Sequence, residues 1–340
     1  MNNALTYLTR DCPRACNYCA LREAKGVGKN LTQKEWAKAF EIIKRMKVEF
    51  NLILGNETWL LGSRLINIIK AHKPISYALY TTCPPTLFNT YKWVFYGDGV
   101  IDNLSCGLDF PMKCKENVND DSFKKSEDAW KGFQWIKKHY PEYDTQGTVT
   151  VHKGNYIYLP QLIKECTDLG VFIGINFIHW NSDGNFDFFP NKGDIQELLF
   201  TKEDHVPLRR VLDKVLENPG LLQNPQYISN TIPIETMVNM GWHCKGDPYG
   251  GPTIDSDGSL RVCGYRKGKY TSQFSIFDLP DKKEEWKLAV EKDASECPGC
   301  YWSYPWMTQY WKEKNPELGN KVFSSHAGEH IPKEKWSKRK

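Results

Sequence analysis

The 340-residue sequence predicts an α/β fold, a partial (β/α)6 TIM-like barrel with a small C-terminal α+β extension. Three observations predict it. From residue 4 to 217, short β-rich runs alternate with helical patterns, the mark of parallel βα units. Six such units fit in that stretch, which suits an incomplete barrel whose loops at the strand C-termini build the site. A cysteine loop follows the first run where a dinucleotide-binding, doubly wound sheet would need a glycine-rich turn. The loop decides for the barrel.

The first strand is Ala4 to Thr9, and the cysteine loop comes directly after it. Thr32 with Glu35 three positions on reads as a capping box, and Trp36, Phe40, Ile43 and Met46 mark one face of the helix it opens. Phe50 to Leu54 is strand two, ending in Gly55-Asn56-Glu57, with a helix through Leu61, Leu65 and Ile69 behind it. Ser76 to Thr82 reads as strand three, and Thr86 to about Phe95 as its helix. Ile101 to Leu108 is strand four, ending at Asp109; Ser122 to Tyr140 is a polar-faced helix with Trp130, Phe133 and Ile136 inward. Thr148 to His152 is strand five, followed by a helix carrying Leu159, Leu162 or Ile163, Cys166 and Leu169. Val171 to Ile178 is an almost unbroken apolar run, suited to a strand covered on both faces.

After residue 217 the texture changes. Residues 218–240 read as a linker or wrapping loop, rich in Asn, Pro, Gly and Gln at its start. Residues 241–314 form the extension, in which Thr253 to Cys263 is a hairpin turning at Asp257-Gly258. Residues 315–340 are a polar tail whose basic end needs no role beyond solvation. A net charge of +4 is too slight to argue for nucleic acid or an anionic membrane. No run of 18 apolar residues and no signal-peptide layout is present, so a cytoplasmic protein is expected.

Eleven cysteines point to metal or cluster ligation, since an odd count without a secretory signal argues against a disulfide framework. Seven fall in two groups. Cys83, Cys106, Cys114 and Cys166 are scattered and read as ordinary thiols, and the tryptophans Trp302, Trp306 and Trp311 read as packing around a loop-rich module. Cys12, Cys16 and Cys19 have the spacing C-x3-C-x2-C. Three thiolates can hold three corners of a cubane iron–sulfur cluster and leave the fourth iron open. The alternative is zinc, but a structural zinc site wants four ligands, usually in C-x2-C pairs. Cys244, Cys263, Cys297 and Cys300 form the second group, with Gly250-Gly251 and the hairpin between the first two and Cys297-Pro298-Gly299-Cys300 closing it. Four thiolates suit a closed cluster and a structural zinc equally.

On these residues the chain resembles the radical S-adenosylmethionine (radical SAM) superfamily, and its C-terminal cysteines resemble the twitch domain, a shortened SPASM extension. The resemblance implies a SAM-binding [4Fe–4S] cluster on Cys12, Cys16 and Cys19. It also implies one auxiliary [4Fe–4S] cluster on Cys244, Cys263, Cys297 and Cys300, so that the α+β extension is cluster-binding. By the same resemblance the backbone at Tyr18 lies along the adenine, and Gly55-Asn56-Glu57 stands where relatives carry a Gly-Gly-Glu-like motif for the methionyl amine, with Asn56 replacing a glycine. Gly107-Leu108-Asp109 stands where relatives carry Ser-x-Asp near the cofactor ribose, and Thr150 to Asn155 resembles a strand-five pattern of the peptide-modifying branch. Thr82, Asp109, Asn155 and His179 end apolar runs and are expected at the barrel mouth, though each also suits a turn or cap.

The implied activity is reductive cleavage of S-adenosylmethionine to a 5′-deoxyadenosyl radical and hydrogen abstraction from a small molecule or short peptide. An external one-electron donor such as flavodoxin or ferredoxin is implied. An auxiliary cluster with every iron thiolate-bound would accept an electron, which favours oxidation, dehydrogenation or oxidative bond formation. The needed base is one of Asp109, His152, His179 and Asp247. Two alternatives stand: redox-neutral rearrangement or adenosyl addition on a small metabolite, and a zinc-holding binding module.

Overall fold

The computed structural model describes residues 3–16, 18–19, 29–55, 57–72, 75–82, 101–114, 121–180, 192–231, 243–244, 250–300 and 303–314. In chain order the strands are β1 (Asn3–Tyr7), β2 (Phe50–Leu54), β3 (Ser76–Thr81), β4 (Asn103–Gly107), β5 (Asp144–Val151), β6 (Phe172–Phe177), β7 (Thr253–Ile254) and β8 (Leu260–Arg261). The helices are α1 (Gln33–Arg45), α2 (Ser63–Ala71), α3 (Asp121–His139), α4 (Leu159–Leu169), α5 (His205–Glu217), α6 (Pro225–Thr231), α7 (Leu279–Ser295) and α8 (Ser303–Lys314). The helix expected from Thr86 to Phe95 lies outside the described residues.

One sheet runs in the order β6-β5-β4-β3-β2-β1-β7-β8. The first six strands are parallel and each pairs with its sequence neighbour. Every crossover therefore steps the same way, without the reversal that makes the switch point of a doubly wound sheet. α1 opens as its local sequence dictates: the Thr32 hydroxyl accepts from the Glu35 amide at 3.3 Å, and the Glu35 carboxylate accepts from the Thr32 amide at 2.7 Å. β5 begins four residues before the expected Thr148 because β4 recruits Asp144 to Gln146 by pairing, which the polar local sequence does not announce.

The two faces of the sheet differ. Ile53, Leu79, Leu104, Val149 and Ile175 point into the main core with Trp36 and Phe40 of α1, Leu65 of α2, Phe133 of α3 and Leu162 of α4. The opposite face carries Leu5, Tyr7, Phe50, Leu52 and Ala78, against which Cys300, Cys263, Cys297 and Tyr265 pack. Across β4 and β5 that second face turns polar, with Ser105 and Thr148 hydroxyls 3.4 Å apart.

Both sheet edges are covered by segments that local sequence reads as separate. Residues 218–231 are not simply a linker. Ile173 donates to the Leu221 carbonyl and Gln223 donates to the Ile173 carbonyl, while the Asn224 side chain bonds both the amide and the carbonyl of Ile175. Leu222, Tyr227 and Ile228 are buried there, so a stretch of polar composition is anchored by three apolar residues. At the other edge β7 pairs in parallel with β1, and β8 returns antiparallel through the turn at Gly258, whose φ of 85° suits glycine. The hairpin of the extension thus continues the main sheet.

Gly251 lets this happen: a Cβ there would lie 1.8 Å from the Asn3 carbonyl oxygen of β1. Gly251→Ala is expected to cost about 1–3 kcal/mol through the shift forced on β1, read as a lower denaturant midpoint; an unchanged midpoint would sink this account. Among the described residues no helix is long and apolar enough to cross a membrane.

Candidate active site

The cysteine loop leaves the C-terminal end of β1. None of Cys12, Cys16 and Cys19 is in a disulfide; Cys16 is buried and the others are half-buried. The Cys19 amide donates to the Cys16 carbonyl at 3.1 Å, and the Arg14 amide approaches the Cys12 Sγ at 3.4 Å. Cys16, Cys19 and Tyr18 pack with Ile178, Trp180, Ile195 and Leu198, so the end of β6 and the segment after it wall one side.

Tyr18 is held by more than its backbone. Its hydroxyl donates to Asp109 Oδ2 and accepts from Lys125 Nζ. Lys125 closes the triangle with an ion pair to Asp109 Oδ2 at 2.6 Å. Burial works against the ammonium charge, but the Asp109 carboxylate, with Cys16 and Cys19 near it, outweighs that and holds the Lys125 pKa above its ordinary value. Burial, then the Asp109 charge, pushes the Tyr18 phenol well up, so it stays a neutral donor. Asp109 Oδ1 accepts from the Thr150 amide at 3.0 Å, and the Asp109 amide donates to the Ser126 hydroxyl of α3.

The other candidates divide into brackets and wall residues. Glu57 is 1% exposed and takes four donors: the Trp59 amide at 3.1 Å, the Thr81 hydroxyl at 2.7 Å, the Thr82 amide at 2.8 Å and the Thr82 hydroxyl. It ties the end of β2 to the end of β3, with Thr82 as its partner. Gly55 lies beneath it, where a Cβ would come 3.1 Å from the Thr9 carbonyl. Asn155 accepts from the His152 amide and donates to the carbonyls of Thr150 and Asp109, fastening β5 to the end of β4. His152 is buried between the rings of Tyr18 and Phe110, and its Nδ1 accepts from the Gly154 amide at 3.1 Å, which leaves the proton on Nε2. His179 stacks on Tyr265, ring centroids 6.2 Å apart. Asn56 and Asp247 lie outside the described residues.

Of the second cysteine group, Cys263, Cys297 and Cys300 gather against the second face of the sheet at β1–β3. Burial, then the neighbouring Cys297, pushes the Cys263 thiol up to about 11. The His243 ring bonds the Cys297 carbonyl at 2.9 Å, which brings the adjoining Cys244 to the same region. Among the described residues no three His, Cys, Asp or Glu side chains converge on one metal position. The fit of both groups to a cluster therefore rests on donor chemistry: three thiols on one loop, and a four-thiol set in the extension. Cys106 and Cys166 are fully buried in the main core and serve packing, as Trp306 does against Tyr227.

Two features escape the sequence. Lys125 sits on a helix face that reads as solvated; the signal that could have found it is Gly107, where a small residue leaves room on the strand. The second feature is a buried charge cluster in which Asp255, in the turn after β7, accepts from Arg10 and, at 2.6 Å, from Arg261. Arg10 also lies over the Tyr7 ring, 4.6 Å from its centroid. Arg10 is two residues before Cys12 and Arg261 two before Cys263, so this cluster joins the roots of both cysteine groups.

No family model matches the chain, and no curated protein matches it. Solved structures do. SuiB of Streptococcus suis bound to S-adenosylmethionine aligns with a TM-score of 0.58 at 14% identity, over 88% of this chain and 72% of that one. SuiB bound to the precursor peptide SuiA gives 0.57 at 15% identity, over 88% and 71%. In a further SuiB structure the chain spans only 60% of the protein's length. Native anSMEcpe with bound AdoMet and the Cp18Cys peptide gives 0.54 at 14% identity, over 94% of this chain and 99% of that one. The chain has the fold of these S-adenosylmethionine-binding proteins.

Proposed function

We propose that the chain is a radical SAM enzyme on a partial (β/α)6 barrel with a twitch-like auxiliary cluster domain, acting oxidatively on a peptide. The observation that carries this reading is the C-x3-C-x2-C loop at the C-terminal end of β1 in a sequentially wound parallel sheet. The fold shared with SuiB and anSMEcpe supports it, and their bound peptides favour a peptide over a small metabolite.

In this reading Cys12, Cys16 and Cys19 hold a [4Fe–4S] cluster. The chemistry supplied on binding is one-electron cleavage of S-adenosylmethionine to methionine and a 5′-deoxyadenosyl radical, which takes a hydrogen atom from substrate. The chain's own residues position and insulate. Tyr18, Asp109 and Lys125 fix the loop to β4 and α3, and the apolar wall of Ile178, Ile195 and Leu198 keeps water away. Glu57 is saturated by four donors. It holds the β2 and β3 ends in register, at the position where the resemblance puts the methionyl amine. Of the base candidates His152 is the least suited, since its Nδ1 lone pair is taken by the Gly154 amide and its Nε2 carries the proton; Asp109, His179 and Asp247 stand in this reading. Cys244, Cys263, Cys297 and Cys300 would hold the auxiliary cluster, which would supply a one-electron acceptor for oxidation of the substrate.

Anaerobic reconstitution tests this. About eight irons per chain, brown absorbance, and 5′-deoxyadenosine formed from S-adenosylmethionine with a reductant are expected. Zinc alone, with no deoxyadenosine, would overturn it. Replacing Cys297 and Cys300 by Ala should abolish oxidised product yet leave deoxyadenosine formation in place; undiminished product in that variant would remove the acceptor role.

A further inference from the structure

We propose that α3 is a clamp for the cysteine loop, working through one charged face, and that position 107 is glycine so that Lys125 can reach across to it. The inference rests on the radical SAM reading for the loop's purpose, but its geometry stands independently. Asp121, Lys125 and Asp128 are spaced i, i+4 and i+7, which sets them on one side of the helix. Each meets a different point of the loop. Asp121 Oδ2 accepts from the Ala15 amide at 2.8 Å, Asp128 pairs with Arg14, and Lys125 donates to the Tyr18 hydroxyl. All three contacts, at Arg14, Ala15 and Tyr18, fall between Cys12 and Cys19.

The middle contact is the deep one. Lys125 Nζ lies 5.0 Å from the centre of the Tyr18 ring and 2.6 Å from Asp109. Its side chain lies across Gly107, where a Cβ would come 2.7 Å from Nζ and 2.8 Å from Cε. The φ of Gly107 is not positive, so it is the passage of Lys125, not backbone conformation, that favours glycine there. Asp109 then serves the clamp: one oxygen takes Tyr18 and Lys125, the other the Thr150 amide. Lys125 is a positioning residue whose ammonium, paired with Asp109, lies near Cys16 and Cys19. Its loss leaves the Asp109 carboxylate uncompensated there, which disfavours the more negative, reduced state of anything they ligate.

Two measurements test the clamp. In the metal-free protein, alkylation of Cys12, Cys16 and Cys19, mapped by mass spectrometry, should be about tenfold faster in Asp121→Ala/Asp128→Ala, because two charge-assisted contacts are lost. Global stability should fall by no more than about 1.4 kcal/mol, the equivalent of a tenfold change, with the protein still folded. Unchanged alkylation would overturn the clamp. In the reconstituted protein the midpoint potential of the N-terminal cluster should fall in Lys125→Met, return toward the parent value in Lys125→Arg, and fall part of the way in Gly107→Ser, whose Cβ makes the lysine tip shift. Should Lys125→Met fail to fold with Asp109 stranded, Lys125→Met/Asp109→Asn removes both charges and should leave the potential near the parent value, while Lys125→Gln, with Asp109 intact, lowers it. Equal potentials in these two variants would overturn the charge placement. Potentials equal to the parent in Lys125→Met and Gly107→Ser would overturn the charge placement. If the parent protein takes up no cluster, the functional reading falls while alkylation still judges the clamp.

Discussion

Asp255→Ala should destabilise the protein by about 3–5 kcal/mol, because it leaves the guanidinium groups of Arg10 and Arg261 buried side by side without their shared carboxylate. The side chains of Arg10 and Arg261 are 4% and 1% exposed, so water cannot take over the lost role. The pH dependence comes from the same contacts. Burial alone would raise the Asp255 carboxyl, but Arg261 and then Arg10 outweigh it and hold the group below its ordinary value. A depressed native value means the contribution is complete above the unfolded carboxyl pKa of about 3.9 and fades as pH falls toward the native value. Denaturant melts at pH 7 and pH 3 check this. The gap between parent and Asp255→Ala should be large at neutral pH and shrink in acid; a gap that grows in acid would contradict the sign.

Cys12→Ala/Cys16→Ala/Cys19→Ala should abolish deoxyadenosine formation and remove about four irons per chain after reconstitution. The metal-free variant should keep the circular dichroism of the parent, since none of the three thiols is part of a disulfide. Iron at the parent level, or residual deoxyadenosine above that of a protein-free control, would show that the loop is not the cluster site. Loss of folded structure would instead mean that the loop supports the sheet. Together with the Cys297/Cys300 variant, this triple variant separates radical generation from the later oxidation of substrate.

Short-range interactions are what the sequence discloses. The capping box of Thr32 and Glu35 forms as its four residues dictate, and Phe50–Leu54 is a strand with the bounds its apolar run sets. The cysteine loop is legible because ligand spacing is a local property. The edge coverings are not. Leu221 to Asn224 reads as loop until it meets Ile173 and Ile175, and Thr253 and Ile254 become a strand of the main sheet only by pairing with Leu5 and Thr6. The site residues divide in the same way. Position in the chain singles out Glu57 and Asn155, but not their partners: Thr81 and Thr82 for Glu57, and Asp109 beside the nearer Thr150 for Asn155, tie the ends of adjacent strands together. Lys125 reads as one charge among many on a solvated helix, and only Gly107 hints that a long side chain passes there.

The hairpin on β1 has a consequence for biosynthesis. Asp255 lies 245 residues after Arg10, and the β7 strand that covers the β1 edge precedes it directly. At about 5–20 residues per second, roughly 12–50 seconds separate the emergence of β1 from that of its outer partner. For that interval a nascent chain carries an open strand edge beside a loop of three reactive thiols, the pairing-prone and oxidation-prone surfaces together. The β1 edge gains its outer partner only when about the last quarter of the chain arrives. A fragment ending before residue 250 would keep that edge exposed for good, and should be recovered as aggregate.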